Sequence, residues 1–452
     1  MTFRTYKGNR RLIACVLPVA LLITLLTGCN KLDDFWGHGK PGAPTTYSSD
    51  VIEQWMSLQL RLMKNATGIP NHGFSRPYAY AGIAAWESIA EGVPGSGQWA
   101  KQWNGLTGLP AATGSSKFYW PASANAALAS INRSLFPNAT AADKSAIDSL
   151  EQLLRTQFLA KAPSNKVNAA ADYGKLIAGA VFAWSETDGY KNASRPYVVP
   201  TGPGKWKPTP PAFGAPATPY WGENRPIVKG SLTNTQAPAP IAYSTDPQSP
   251  FYKMVKKVYD VSQGLTTDQI NMAFYWRDVP GVSSPGHWLS ILLQTLQKKQ
   301  VSMAKAALAY ALSGAAGNDA LISCFQVKYQ YNQVRPITYI HEVIGITTWN
   351  PTLATPAHPE YPSAHSALSG GTATVLESLF PGVHSITDHT YDYLNFGART
   401  YSSFTAVAKE AAQSRLYGGI HYEQSNDAGL QQGFKTGENV LIKSLPSSFI
   451  IE

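Results

Sequence analysis

Helical periodicity runs through most of this chain and constrains its fold more than any other feature. Apolar residues recur at helical spacing, and few runs of β-branched residues interrupt them. The pattern predicts helices at 47–64, 77–91, 121–135, 141–160, 164–186, 250–263, 267–274, 287–313, 318–334, 362–380, 402–417 and 425–445. We therefore expect an all-α fold with a helical bundle architecture.

One long stretch, 201–250, lacks this periodicity and is rich in Pro, Gly and Thr. It also contains aromatic residues, which favour an ordered connecting segment packed over the helices rather than a flexible linker. The stretch separates an N-terminal helical region at 47–200 from a C-terminal bundle at 251–452. We expect the N-terminal region to form a layer beside the C-terminal bundle.

The first 28 residues have the pattern of a secretory signal peptide. Four basic residues precede an apolar run at 12–26, and Leu26-Thr27-Gly28-Cys29 ends it. This order is typical of bacterial lipoproteins, in which the cysteine becomes the lipidated first residue. The apolar run is shorter than the roughly 20 residues that a membrane-spanning helix needs. We expect export, a lipid anchor at Cys29 on a periplasmic or cell-surface membrane face, and a tether at 29–46.

Composition agrees with an exported globular protein. Removal of residues 1–28 removes four basic residues and no acidic ones, which lowers the formal net charge from +9 to +5. The rest of the chain has no run of basic residues, so a nucleic-acid partner is not indicated. Of the three cysteines, Cys15 leaves with the signal peptide and Cys29 is lipidated. Only Cys324 remains, which excludes an internal disulfide, and a buried apolar role is expected for it.

Three clusters of polar residues in the last third of the chain indicate a site for an oxyanion. They supply three cations, two imidazoles and a hydroxyl: Lys328 and Arg335, then Ser363 and His365, then Arg415 and His421. Guanidinium and ammonium groups neutralise a phosphate or a vanadate, and an imidazole titrates near neutral pH. Each cluster alone has an ordinary structural explanation, such as a solvated helix face or a capped helix start. All three in this order favour a functional site.

Helix geometry suggests how the first two clusters would meet. Lys328 and Arg335 are seven residues apart, which places them on one face of the predicted helix 318–334, and Pro336 would end or kink that helix. Pro362 suits the first position of the next helix. The hydroxyl of Ser363 and the free N–H groups of that first turn would then face an anion.

The third cluster lies near the end of the predicted helix 402–417. Gly418-Gly419 would break this helix after Arg415. The resulting turn would bring His421 back toward the same point as Arg415.

These clusters resemble the motifs of a known superfamily, the vanadium-dependent haloperoxidases and type 2 phosphatidic acid phosphatases. Its motifs are Lys-x6-Arg-Pro, Pro-Ser-Gly-His and Ser-Arg-x5-His, and this chain has KYQYNQVRP, YPSAHS and SRLYGGIH. The resemblance extends over about 278–430. The chain length and the helical N-terminal half are similar to the bacterial haloperoxidase-like branch.

The resemblance implies a vanadate cofactor and a role for each residue. His421 would bind the vanadium through a ring nitrogen, or attack phosphorus in a phosphatase, and His365 would be the general acid–base. The cofactor would act as a Lewis acid, with hydrogen peroxide and a halide as substrates and Lys328 polarising the peroxide. The groups implied to bind the oxyanion are Lys328, Arg335, Ser363, the amide N–H of Ala364, and Arg415.

Two positions depart from the family pattern. The glycine of the second motif is Ala364 here, whose methyl group would crowd the anion. An aspartate often stands four residues after the final histidine, and here that residue is Ser425. The carboxylate that orients the ring of His421 would then be missing or supplied from elsewhere.

Further residues are candidates for the surroundings of the site. His358 occupies a position that the resemblance associates with bromide- or iodide-using members, and a surface histidine is the alternative. Asp278 would pair with Arg415 and hold it. His287 and Trp288 would form the wall of the entrance.

Three functions are consistent with the sequence. The first is a vanadate-dependent haloperoxidase that uses bromide or iodide rather than chloride. The second is an acid phosphatase with a phosphohistidine intermediate, acting on a phosphate ester without vanadate. The third is a catalytically inactive surface lipoprotein of the same fold, suggested by Ala364 and Ser425.

Overall fold

The computed structural model describes residue 2 and residues 40–96, 102–114, 118–279 and 282–445. Helices dominate these ranges, and the predicted all-α fold is confirmed. Two short strands, β1 (Ile386–Asp388) and β2 (Arg399–Tyr401), pair antiparallel. The signal peptide, Cys29 and most of the tether lie outside the described residues. No described helix has the length and apolar character needed to cross a membrane.

The described part of the N-terminal half forms a layer of five helices. They are α1 (Asp50–Asn65), α2 (Ser75–Ala90), α3 (Trp120–Leu135), α4 (Ala141–Leu159) and α5 (Ser164–Ser185). Every residue of α2 is buried, because α3 and α5 cover one side of it and the C-terminal half covers the other. Most residues of α2 are accordingly apolar, and its two buried charged side chains have partners: Arg76 pairs with Asp188, and Glu87 accepts the indole N–H of Trp103.

The C-terminal half contains the remaining helices. They are α6 (Pro250–Ser262), α7 (Thr267–Tyr275), α8 (Ser284–Lys299), α9 (Met303–Tyr331), α10 (Pro336–Tyr339), α11 (Ala364–Leu379), α12 (Phe404–Tyr417) and α13 (Glu423–Ser444). A π-helical turn at Ile340–Ile344 continues α10. The long helix α9 packs on α2 on one side and on α11 and α13 on the other. One continuous hydrophobic core therefore joins the two halves.

The predicted helices 287–313 and 318–334 have the wrong boundaries. The chain breaks instead at Gln300, which has a φ of 50°, and α9 runs unbroken through Gly314 and Gly317. A Cβ at Gly314 would lie 2.8 Å from Ala79 Cα, and one at Gly317 would lie 2.8 Å from the hydroxyl of Thr372. These glycines thus allow close helix packing, which outweighs their helix-propensity penalty of roughly 1 kcal/mol.

The segment 201–250 lies over α9 as ordered chain without long helices. Asp319 of α9 holds this segment, because its buried carboxylate accepts the backbone N–H groups of Ile227 and Val228 at 2.7 and 3.0 Å and the hydroxyl of Ser231 at 2.7 Å. Burial raises the pKa of Asp319 to about 6. Its hydrogen bonds replace the lost hydration of the carboxylate.

A glycine stripe on α13 brings this helix very close to α11. Gly429, Gly433 and Gly437 recur every four residues and therefore share one face. A Cβ at Gly433 would lie 2.1 Å from the carbonyl oxygen of Ala367, and one at Gly429 would lie 2.5 Å from that of Ser363. The stripe therefore fixes the start of α11, which carries the second motif, against α13.

We expect Gly433→Ala to lower the free energy of unfolding by about 3 kcal/mol, the upper end of typical overpacking penalties. The added methyl group meets backbone atoms of α11, which cannot move independently of their helix. The matched control is Gly179→Ala in α5, where a Cβ meets nothing within 4 Å. That change should stabilise the protein by about 0.5–1 kcal/mol. Denaturant unfolding measures both, and equal effects would contradict the packing explanation.

Candidate oxyanion-binding active site

The three motifs converge on one cavity of about 550 Å³. Its wall includes His358, Ala364, His365, Arg415 and His421. The other residues that the three motifs supply lie directly behind this wall and are fully buried: Lys328, Arg335 and Ser363.

The backbone conformation of the first motif differs from the predicted one. Helix α9 ends at Tyr331, and Asn332 adopts a left-handed conformation with a φ of 54°. Arg335 is therefore extended and precedes α10, so Lys328 and Arg335 do not share a helix face, and Pro336 begins a helix instead of ending one. The prediction was wrong because the left-handed turn at Asn332 stops the helix one turn early.

Backbone carbonyls hold the two cations of the first motif. Lys328 Nζ donates to the carbonyl oxygens of Pro359 and Glu360, both at 3.0 Å. Arg335 Nε donates to the carbonyl of His358 at 2.9 Å, and Nη1 donates to that of Ile420 at 2.7 Å. These contacts connect the first motif with the segment that directly precedes the second motif and with the third motif itself.

The second motif forms the start of α11. Pro362 does not take the first helical position as predicted, because Ser363 is the N-cap and Ala364 is the first helical residue. The Ser363 hydroxyl accepts the N–H of Ser366 at 3.4 Å. Ala364 has no positive φ, so the missing glycine causes no backbone strain. Its methyl group packs near Ala320 and Cys324.

The third motif places Arg415 in the cavity wall. Arg415 Nη1 donates to the carbonyl of Trp276, and Nε is buried without a hydrogen-bond partner. The predicted ion pair with Asp278 is not formed. The Asp278 carboxylate accepts the N–H of Ser284 at 2.9 Å, which holds it at the start of α8, and it lies 3.6 Å from His365 Nε2.

The hydrogen bonds of His421 define its tautomer. Arg335 Nη1 lies 3.2 Å from Nε2, and a guanidinium can only donate, so Nε2 must carry the lone pair. Nδ1 then carries the proton and donates to Glu360 Oε1 at 2.7 Å. Burial and the charge of Arg335 lower the pKa of His421 well below its usual value. His421 is therefore a neutral imidazole whose Nε2 electron pair accepts a hydrogen bond from Arg335.

Glu360 is the functional residue that the sequence reasoning missed. Its buried carboxylate accepts hydrogen bonds from His421 Nδ1, from the N–H of Tyr422 at 2.9 Å, from the hydroxyl of Ser425 at 2.6 Å and from the amide of Gln333 at 3.2 Å. It supplies the carboxylate that Ser425 lacks. A charged residue next to the second motif, within HPEYPSAH, was the available signal.

His365 is suited to accept a proton. Its Nε2 is buried and has no hydrogen-bond partner, since the 3.6 Å separation from Asp278 is too long. Burial, followed by the charge of Arg415, lowers the pKa of His365 to about 4. The ring is thus neutral near pH 7 and presents a free nitrogen near the cavity.

Two further histidines that the sequence placed around the site, His358 and His287, differ in whether they line the cavity. His358 lies in the cavity wall and contacts Arg335 Nη2 through Nδ1 at 3.1 Å, so it is not a surface histidine. His287 is 1% exposed and does not form the entrance, and neither does the fully buried Trp288. His287 instead pairs with Asp388 at 2.6 Å, because that carboxylate of β1 is buried beside α8.

The N-terminal half also contributes to the cavity. His72 lies in its wall, with Nε2 2.7 Å from the hydroxyl of Thr218 and its ring against Phe325. Burial lowers the pKa of His72 to about 4, so the ring is neutral. No motif in the sequence pointed to it, because His72 lies more than 250 residues before the first of the three motifs.

The electrostatics favour a multiply charged anion. Burial lowers the pKa values of Arg335 and Arg415 to about 10, and both remain charged at neutral pH. Burial also lowers the pKa of Lys328 and raises that of Glu360. The unpartnered Nε of Arg415 and the excess of cations fit an oxyanion such as vanadate, bound by one imidazole nitrogen. Among the described residues, no group of three or more His, Cys, Asp or Glu side chains could hold a metal ion.

Comparisons with known proteins agree with this geometry. A family model described as "VCPO second helical-bundle domain" matches residues 308–445. The crystal structure of a bacterial vanadium-dependent iodoperoxidase is 30% identical in sequence, with a TM-score of 0.78, and the match covers 90% of this chain and 98% of that one. None of the curated protein sequences matches significantly.

Two further structures share the fold at lower identity. A holo-type bacterial vanadium-dependent chloroperoxidase is 16% identical, with a TM-score of 0.61 over 83% of this chain and 92% of that one. Its apo-type counterpart is also 16% identical, with a TM-score of 0.62 over 83% and 94%. The three motifs, the helical fold and the 30% identity over nearly the whole length establish the relationship. The chain therefore belongs to the superfamily of vanadium-dependent haloperoxidases and type 2 phosphatidic acid phosphatases.

Proposed function

We propose that this protein is a vanadate-dependent haloperoxidase that oxidises a halide with hydrogen peroxide. The observation that carries the proposal is the neutral His421, whose Nε2 electron pair lies among three buried cations. One electron-pair donor and a cationic surround are what a vanadate ion needs from a protein. When bound, vanadate supplies a Lewis acid that activates hydrogen peroxide.

The side chains then have distinct tasks. Lys328, Arg335 and Arg415 neutralise the charge of the bound oxyanion. Nε2 of His365 would accept a proton from hydrogen peroxide. When the halide attacks one peroxide oxygen and the O–O bond breaks, His365 would return this proton to the other oxygen, which leaves as water with the proton that the overall reaction consumes. The overall reaction consumes one halide, one hydrogen peroxide and one proton, and it yields a hypohalous acid and water.

We further propose bromide or iodide, rather than chloride, as the halide. His358 supports this choice, because the cavity wall presents an imidazole where the resemblance implies one for users of the heavier halides. The 30% identical relative is an iodoperoxidase, which points the same way.

A phosphatase is the second candidate function. The same observation favours it, because a neutral imidazole with an unprotonated Nε2 is also a nucleophile toward phosphorus. The cations would stabilise the transferred phosphoryl group, and a phosphohistidine would form at His421. The inactive-lipoprotein hypothesis has less support, since Glu360 compensates for Ser425 and Ala364 adopts a helical conformation.

Halide oxidation assays test the proposal against the phosphatase. Protein incubated with orthovanadate should oxidise iodide or bromide with hydrogen peroxide, and protein freed of vanadate should not. Halogenation of a phenolic dye is the measurement. Hydrolysis of a chromogenic phosphate ester by vanadate-free protein, without halide oxidation after loading, would favour the phosphatase instead.

Two histidine variants identify the roles in this assay. His421→Ala should abolish halide oxidation, because the electron pair for the cofactor is lost. His365→Ala should lower the rate by about 100-fold or more while vanadate still binds, as expected for loss of a general acid–base. Wild-type rates in both variants would refute the assignment.

Anion affinity should decrease as pH rises, with Lys328 as the cause. Burial lowers the pKa of Lys328 in the anion-free site, so the site loses this proton below the usual lysine pKa of about 10.4. A bound anion favours the charged form and raises the pKa again. Affinity is thus highest at low pH and falls by at most about tenfold per pH unit above the lowered pKa.

Sulfate is the suitable probe for this dependence, because its own charge is constant over the range. Isothermal titration should show weaker sulfate binding at alkaline than at neutral pH. Lys328→Gln should bind sulfate weakly and without this decline. An unchanged decline in that variant would assign the effect to another group.

We also propose that the protein is exported and anchored through a lipid on Cys29. The support is the order of basic residues, apolar run and Leu-Thr-Gly-Cys in the sequence. Cells fed a labelled fatty acid should label the wild-type protein, which should fractionate with membranes. Cys29→Ser should be unlabelled, and labelling that survives this change would contradict the anchor.

A further inference from the structure

Glu360 contacts the first and third motifs and directly precedes the second in the chain. Its side chain contacts His421 of the third motif, and its backbone carbonyl accepts Lys328 Nζ of the first motif. It stands three residues before Ser363, the N-cap of the second motif. Its backbone N–H donates to the carbonyl of Gln333 at 3.0 Å. Hydrogen bonds therefore fix both the backbone and the side chain of Glu360.

The hydrogen bonds around the carboxylate leave it one orientation. Oε1 accepts His421 Nδ1 at 2.7 Å together with the N–H of Tyr422 at 2.9 Å. Oε2 accepts the hydroxyl of Ser425 at 2.6 Å and the amide of Gln333 at 3.2 Å. The two oxygens thus face different donors, and rotation of the carboxylate would break all four hydrogen bonds.

We propose that Glu360 is the positioning residue of this active site: it keeps the proton of His421 on Nδ1, so that the Nε2 electron pair, which accepts Arg335 Nη1 at 3.2 Å, can bond to an oxyanion held by the same cations. This inference rests on the proposed function for the identity of the ligand. Ser425 has no carboxylate, and its hydroxyl serves to orient Glu360 instead. The negative charge of Glu360 also strengthens Nε2 as an electron-pair donor, since it stabilises the positive charge that the ring gains on bonding.

A comparison of the affinities for two anions distinguishes this role from a merely structural one. Orthovanadate forms a bond to Nε2, whereas sulfate is held by charge and hydrogen bonds alone. Glu360→Gln keeps the shape and an acceptor for Nδ1–H but removes the negative charge. A weaker donor lowers vanadate affinity, while the loss of a nearby negative charge leaves sulfate affinity unchanged or higher.

We expect Glu360→Gln to weaken orthovanadate binding by about tenfold or more relative to sulfate, the usual size of effects from groups that orient metal ligands. Isothermal titration with each anion measures this ratio. Equal losses for both anions would mean that Glu360 only maintains the structure. Unchanged vanadate affinity would mean that it does not act on His421.

A charge-swap variant provides the control. Ser425 Oγ lies 2.6 Å from the Glu360 carboxylate, so an aspartate at this position would return a negative charge to the same buried pocket. Ser425→Asp combined with Glu360→Gln should restore the preference for vanadate. Ser425→Asp alone should reduce thermal stability, because two carboxylates would then share one pocket. Failure of the double variant to recover the preference would overturn the proposed role.

The tautomer of His421 can be measured without any Glu360 variant. In ¹⁵N NMR of histidine-labelled wild-type protein, the His421 signals are those missing from His421→Gln. Nδ1 should be protonated and Nε2 bare at neutral pH, whether or not halide oxidation occurs. A proton on Nε2 would refute the proposal even if the protein proves to be a haloperoxidase.

Discussion

The burial of three cations around one cavity is the constraint on which the site depends. Removal of an ion from water costs on the order of several kcal/mol, and the fold offsets this mainly with backbone carbonyls. Lys328 is held by two such carbonyls, Arg335 by two and Arg415 by one. Carbonyl dipoles solvate these cations without neutralising them, unlike a full set of carboxylates. Net positive charge therefore remains for an anion, with Glu360 as the one carboxylate fully buried among these groups.

The carbonyls can do this because the chain around them is held by close packing. The glycine stripe of α13 lets α11 approach to backbone contact, which fixes Ser363 and Glu360 relative to His421. The N–H of Ser363 donates to the carbonyl of Ser425 at 2.9 Å, a contact that larger residues between the helices would prevent. The relative positions of the side chains at the site are thus set by the close packing of α11 and α13, which extends over several helical turns.

Local pattern was enough to predict most helices and all three motifs, but not how they meet. The helices 141–160, 164–186 and 267–274 were placed to within a residue, because their periodicity and end signals are local. The break at Gln300, the continuation through Gly314 and the turn at Asn332 depend on contacts with distant segments. The same limitation explains the missed Glu360 and the wrong pairing of Asp278 with Arg415, since a hydrogen-bond partner is chosen in three dimensions.

His72 shows that both halves of the chain line the cavity, and the two halves contribute different kinds of side chain. The charged side chains at the cavity belong to the C-terminal half, whereas the N-terminal half supplies Pro70, Asn71 and His72 to the cavity wall. Residues that line a cavity contribute to its shape and so to the molecules it can hold. A substitution at Pro70, Asn71 or His72 would therefore change the space beside the charged groups while leaving those groups in place.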